Sequence, residues 1–295
     1  MMKTDFVDSI ELSAQQVLDM LGLGVALKAC VRADYYPALL KKKTIGYMLG
    51  KENPLGLALC TAIHQLGGLA LPFQMPLDPP SVIRAAAQEL SRVCDCIVIE
   101  HPRHESVLAL AKYASVPVIN AGSDHSRPVQ EIADLITMFE HLPPEKKLEE
   151  CKAVFDGPCT AACTSALFLC TKVGLQFVQL CNEKSEEIKP QLLKTAERNV
   201  KKSGGTYVVL NSSAEAYRCA DFLFMDAPMG TKLPPDAEGV MRIDPSENLL
   251  AAMRAIFTRL LYSNPAAREP VLVEKLRRTL AIKLQTIFGF GETTE

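Results

Sequence analysis

The chain has 295 residues, 48% hydrophobic and 22% charged, which excludes a disordered, collagen-like or coiled-coil chain and leaves room for two α/β domains. A formal net charge of −2 offers no electrostatic footprint for nucleic acid or an anionic membrane surface. No uninterrupted apolar run reaches the ~18 residues that span a bilayer, so no membrane span is expected.

Taken in chain order, β-branched and apolar stretches predict strands at 44–48, 69–72, 96–100, 116–120, 153–155, 176–180, 206–210 and 222–225. Amphipathic stretches predict helices at 14–25, 55–66, 81–94, 105–114, 128–141, 160–173, 187–202, 213–219 and 247–261. This alternation implies βαβ units and hence two doubly wound parallel-sheet α/β domains. The polar stretch LPPEKKLEEC, 142–151, is the linker candidate, and the helix before it bridges the two sheets. The expected division is 1–141, 142–246 and a C-terminal helical extension, 247–295, whose first helix returns to the N-terminal domain. A last amphipathic segment at 270–288 has an apolar stripe flanked by Lys275, Arg277, Arg278 and Lys283, suited to its own chain or a partner groove.

The start, MMKTDFVDSIELSAQQ, carries acids early and shows neither an apolar leader nor an Arg-rich amphipathic pattern. A cytoplasmic location is expected, with the mitochondrial matrix as the alternative. Ten cysteines are scattered; the closest pairs, Cys94-x-Cys96 and Cys159-x3-Cys163, lack further ligands at zinc spacing. They read as buried thiols in a reducing compartment, with no metal site. Gly22 and Gly24 match no phosphate loop, His101 and His104 read as exposed loop residues, and Asp124, His125 and Ser126 are adjacent, the wrong geometry for a triad.

The segment PVINAGSDHSRPVQEIADLITM, 117–138, resembles the hinge of the aspartate and ornithine carbamoyltransferases, where a strand ends in "PVIN", a loop carries Ser-Asp, and "HPxQ" opens a helix. CIVIEHP at 96–102 resembles the family's "IVIRHP", and Phe155-Asp156-Gly157 with Ser165 and Lys172-Val173-Gly174 resembles its "GDG…HS…K-x-G". DFLFMDAPMG at 221–230 resembles a shortened "DVLxTDxxxSMG" of the ornithine branch; the resemblance covers about residues 8–262. It implies carbamoyl transfer from carbamoyl phosphate to an amine without metal or organic cofactor, in trimers whose first domains meet near the phosphate loop.

That chemistry needs a helix N-terminus and cations for a phosphate dianion, and donors on the carbamoyl oxygen. Aligned on the family's "STRTR", this chain has Asn53, Pro54, Leu55, Gly56 and Leu57, so both arginines and all hydroxyls are gone. Pro54 also deletes an N–H. Glu100 stands where the family has Arg, and Arg127 where it has His. No Arg lies between Arg32 and Arg84, so no shift of register restores the cations. The "HCLP" loop has no counterpart in 233–248.

The remaining candidates are Arg127 and Gln130 toward a carbonyl or phosphate, and Lys51, Asn53, Ser123, Asp124, Asp226 and Met229 toward substrate. Losing two or three charge-assisted bonds of ~1.5–3 kcal/mol each takes micromolar affinity to millimolar or weaker. The expectation is a catalytically inactive family member acting as a regulatory or structural subunit, a homotrimer or a hetero-oligomer with another chain, with an amino acid as a candidate ligand. The alternative is a divergent active carbamoyltransferase using an amino-acid or amine acceptor.

Overall fold

The computed structural model describes residues 3–261 apart from 11, 51–52, 182–187, 189 and 228, so the segment expected at 270–288 lies outside the described residues. The first sheet is parallel, in the order β2-β1-β3-β4, built from β1 (Thr44–Met48), β2 (Leu69–Pro72), β3 (Cys96–Glu100) and β4 (Val118–Gly122). Around it run α1 (Ala14–Arg32), α2 (Leu55–Gln65), α3 (Pro80–Val93) and α4 (His104–Tyr113). The second sheet, also parallel, is ordered β7-β6-β5-β8-β9 from β5 (Lys152–Asp156), β6 (Gln176–Leu180), β7 (Thr206–Leu210), β8 (Phe222–Met225) and β9 (Met241–Arg242). Its helices are α6 (Ala161–Lys172), α7 (Pro190–Ser203) and α8 (Ser213–Tyr217). Between the sheets lies α5 (Pro128–Glu140), and α9 (Leu249–Leu261) follows the second sheet.

Each sheet reverses its winding once, between β1 and β3 in the first and between β5 and β8 in the second. In doubly wound sheets, ligands bind outside the carboxyl ends of strands at such switch points. The fold therefore brings Gly50 and Glu100 together at one switch point, and Gly157 and Asp226 at the other.

Most predicted elements are observed within one or two residues; the departures have local causes. β4 starts at Val118 because Pro117 has no N–H for the ladder. β9, two residues long, carries too little pattern to be seen in sequence. Helix α1 continues past the predicted end at 25 to Arg32, opened by a capping box in which Ser13 Oγ accepts the Gln16 N–H and Gln16 Oε1 accepts the Ser13 N–H. Gly24 does not end it: a Cβ there would sit 2.5 Å from Ile136 Cδ1 and 3.5 Å from the Ala251 carbonyl oxygen. The glycine costs about 1 kcal/mol relative to alanine and lets α1 lie close to α5 and α9.

By length and mean hydropathy alone this 19-residue helix would pass for a membrane span, although Gln15, Gln16, Asp19 and Lys28 interrupt its apolar residues. Its Val17, Leu21, Leu27 and Cys30 are buried in the core, so packing accounts for its apolarity.

Helix α9 packs against α1, α2 and α5. Its Phe257, Ile256 and Met253 are fully buried, Arg254 Nη2 donates to Gln65 Oε1 of α2, and Asn248 just before it accepts from Lys28 of α1 at 2.8 Å. One apolar cluster joins these helices to α5, α6 and the inner faces of both sheets, which fixes the two switch points relative to each other across α5.

Candidate functional site

Three adjoining cavities, of about 620, 410 and 310 Å³, occupy the cleft and share one side chain, the exposed Arg127 that caps α5. Its backbone N–H donates to Ser165 Oγ at 2.9 Å, joining the two domains at the floor of the cleft.

The largest cavity is the first-domain end, lined by Gly50, Asn53, Pro54, Leu55, Glu100 and Arg127 among others. Helix α2 begins here with Pro54, and Asn53 Oδ1 already accepts the Leu55 N–H at 2.9 Å. One N–H is thus missing and the next is spent within the chain, so the helix offers little to an anion. The Gly50 N–H donates to Glu100 Oε2 at 2.6 Å, a charge-assisted bond that holds the carboxylate over the loop. Ala121 of β4 is an extra residue opposite the Ile99–Glu100 step, which pairs Glu100 with Gly122, and a Cβ at Gly122 would lie 3.7 Å from Glu100 Oε1. Leu55 lines this cavity and is buried, whereas Leu57 is 83% exposed and does not line it. Lys51 lies outside the described residues.

Gln130 faces the cleft, but its amide donates to Asp134 Oδ1 and to the Pro245 carbonyl, both at 2.7 Å. Both its N–H groups are engaged, and they tie α5 to the segment before α9. That segment, too short for the family's loop, still reaches the cleft through Pro245 and Ser246.

Of the residues expected toward substrate, Ser123, Asp124, Asp226 and Met229 stand in different parts of the cleft region. Ser123 and Asp124 line the 410 Å³ cavity with Glu100, His101 and Gly122. Asp226 lines the 310 Å³ cavity with Asp134, Phe155, Ser165 and Ile243. Met229 is 45% exposed and lines neither; its carbonyl accepts from Arg242 Nη1 at 2.9 Å. Ser123 and Asp124 belong to the β4–α5 connection, on the first-domain side. Pro228 lies outside the described residues.

His104, expected as an exposed loop residue, instead opens α4 and is half-buried. Its Nδ1 pairs with Ser123 Oγ at 3.0 Å, its backbone N–H donates to Asp124 Oδ1 at 2.8 Å, and its ring lies 4.8 Å from that of His125. Burial, then the neighbouring His125, lowers its pKa, which favours the neutral imidazole. The Ser123 and Asp124 side chains are thereby committed to fixing their own loop.

Sequence reasoning missed two carboxyls on α5, although R-P-V-Q-E-I-A-D places Glu131 and Asp134 three residues apart on an apolar helix. Glu131 is 1% exposed, and burial pushes its carboxyl up to about 7 against the opposing pull of Ser9, Ser165 and Lys172. Asp134 is pushed up to about 8 by burial and by the negative charges of Glu131 and Asp244, against its bond from Gln130. Lys172 of α6 is buried and donates to the Ile10 and Leu12 carbonyls at 3.2 and 2.8 Å. Among the described residues, no group of three or more His, Cys, Asp or Glu side chains is placed to hold a metal ion.

Residues 4–140 match the model of the aspartate/ornithine carbamoyltransferase carbamoyl-phosphate binding domain. Among curated relatives, the putrescine carbamoyltransferase of Mycoplasma capricolum subsp. capricolum is 31% identical over 232 residues, 75% of this chain and 63% of that protein. The chain thus spans just under two thirds of that relative. The ornithine carbamoyltransferase of Caldicellulosiruptor saccharolyticus is 30% identical over 225 residues, 75% of this chain and 72% of that protein. Among solved structures, ornithine carbamoyltransferase from Pyrococcus furiosus superposes with a TM-score of 0.77 at 24% identity, covering 88% of this chain and 97% of that one.

Proposed function

The chain belongs to the aspartate/ornithine carbamoyltransferase family, and on that premise we propose that it keeps the two-domain cleft without carbamoyl-phosphate chemistry, serving as a non-catalytic regulatory or structural subunit. The observation that carries this reading is Glu100: a carboxylate held at 2.6 Å from the Gly50 N–H stands where the resemblance implies a cation. A phosphate dianion brought there meets like charge, and at ~4 Å each charge pair costs about 1 kcal/mol in water and about 4 kcal/mol at an effective dielectric of 20. Arg127 alone does not offset this and the missing arginines. The division at 141/142 and 246/247 belongs to the same reading, with α5 joining the parts.

Self-association, as a homotrimer or with another chain of the family, is part of the proposal. It is supported by Leu57, 83% exposed on α2 beside the first-domain cavity, and Leu69, 61% exposed on the edge strand β2. A cytoplasmic location fits the seven buried thiols among ten cysteines.

The relatives favour a second reading, since both bear the names of carbamoyltransferases, one of putrescine and one of ornithine. In that reading Arg127 and Lys51 hold the donor, and an amine acceptor lies toward Asp226. A product assay decides between them: the purified chain with carbamoyl phosphate and ornithine, putrescine or aspartate is expected to form no carbamoylated amine above the uncatalysed rate. Turnover with any of the three acceptors establishes the second reading.

A further inference from the structure

Ahead of α1 the chain runs along the outer edge of the first sheet and then crosses to the second domain. The Phe6 N–H donates to the Val118 carbonyl at 2.8 Å and the Phe6 carbonyl accepts the Asn120 N–H at 2.9 Å, a parallel bridge that covers the edge strand β4. Asp5 Oδ1 accepts the Val118 N–H at 2.9 Å, and Phe6 is buried. Beyond it, Asp8 Oδ1 accepts the Ile10 N–H at 2.8 Å and the Ser9 carbonyl accepts the Leu12 N–H at 3.1 Å, which folds the chain into a turn. The Ser9, Ile10 and Leu12 carbonyls of that turn converge on the Lys172 ammonium at the end of α6. Lys172 is buried, and a buried ammonium is tolerated only where acceptors replace its water.

Two ties therefore run from α6 to the first domain. Ser165 Oγ accepts the Arg127 N–H, and Lys172, seven residues on and close to two helical turns away on the same face, holds the N-terminal turn. The same segment reaches the cleft from the sheet side. The buried Asn120 donates its side-chain amide to the Val7 carbonyl at 2.9 Å, while its Oδ1 accepts the N–H of Gly122 at 2.9 Å, and Gly122 lines two of the three cavities.

We propose that Asp5–Ile10, with Leu12, is an interdomain strap that sets the opening of the cleft, with Lys172 as its latch and Asn120 as the link from strap to cleft loop. Moving α6 away from the first domain must either break the Lys172 bonds or pull the strap from β4. Either event reaches Gly122 through Asn120, so the strap and the loop of Gly122–Arg127 loosen together. This role is the same whether or not the cleft turns over a substrate.

Amide hydrogen exchange of the full chain, read by mass on peptic peptides, tests the strap. The unaltered chain is compared with Lys172→Met, which keeps the apolar stem and removes the ammonium, and with Asp5→Ala, which cuts the bond to Val118 at the opposite end. In both variants the amides of 4–10 and of 121–127 are expected to exchange about tenfold faster, while those of 80–93 and 206–210 keep their rates. The variants enter from opposite ends, so a shared response at 121–127 marks the strap between them. Should Lys172→Met not fold, Asp5→Ala decides alone. Unaltered exchange at 121–127 in Asp5→Ala overturns the proposal, and so does a rise of equal size in 80–93 and 206–210, which is a loss of global stability and not the release of a latch.

Discussion

The two ends of the cleft use the same architecture to opposite effect. At the β1/β3 switch point the backbone donors are engaged or missing, with the Gly50 N–H bonded to Glu100, no N–H on Pro54 and the Leu55 N–H bonded to Asn53, which leaves Arg127 as the cation among the described residues that line that cavity. At the β5/β8 switch point the acids Asp226 and Asp134 line a cavity with Ser165 and apolar side chains, and Asp134 is held largely neutral by burial. The fold supplies the crevice; local side chains decide its sign.

The comparison can be sharpened by titration, where the largest effect is expected. Glu131 and Asp134 have folded pKa values raised above their unfolded ones, to about 7 and about 8. Between the ordinary and raised values the unfolded chain binds fewer protons than the folded one. Stability is full below about pH 4 for these groups and falls as pH rises through about 7–8, by on the order of 3 kcal/mol for Glu131 alone. Groups facing them are Lys172, Asp8 and Asp244. Urea denaturation at about pH 5 and about pH 9 is expected to show the drop, with Glu131→Gln removing roughly 2 kcal/mol of it. A flat profile contradicts the burial argument.

Next in size is the reversal of charge at the first-domain end. Glu100→Arg is expected to improve phosphate affinity by about ten- to a hundredfold, roughly 1.4–2.8 kcal/mol, and the gain should shrink with added salt. Equilibrium binding of phosphate at low and high ionic strength measures it; unchanged affinity breaks the contrast between the two ends. Smaller still, Asn53→Ala removes the acceptor of the Leu55 N–H and is expected to destabilise the fold by about 1 kcal/mol, read as a shift in the urea midpoint. The smallest effect is at Leu57, whose side chain lies outside the cavity: Leu57→Arg should leave phosphate affinity unchanged within about 0.5 kcal/mol. A tenfold gain there would place that side chain in the cleft.

The fold was legible because periodicity alternated clearly along the chain and because the motif at 117–138 spans β4, its turn and α5 in one run. Glu100 was legible for the same reason, since CIVIEHP fixes its place at the end of a strand. Helix α1 was cut short in the reading because glycines weaken a local pattern, while the contact that makes Gly24 useful comes from Ile136 and Ala251, far away in sequence. The separation of Ser123 and Asp124 from Asp226 was invisible because it depends on which domain supplies each loop. Glu131 and Asp134 were overlooked because burial, which gives them their raised pKa values, is a property of α5 enclosed by α1, α6 and α9.

The central claim is that the first-domain end of this cleft does not hold a dianion, and calorimetric titration of the full chain with carbamoyl phosphate tests it most directly. No saturable heat is expected below about 1 mM, with binding appearing in Glu100→Arg. A dissociation constant under about 100 μM for the unaltered chain, abolished by Arg127→Ala, would contradict the account.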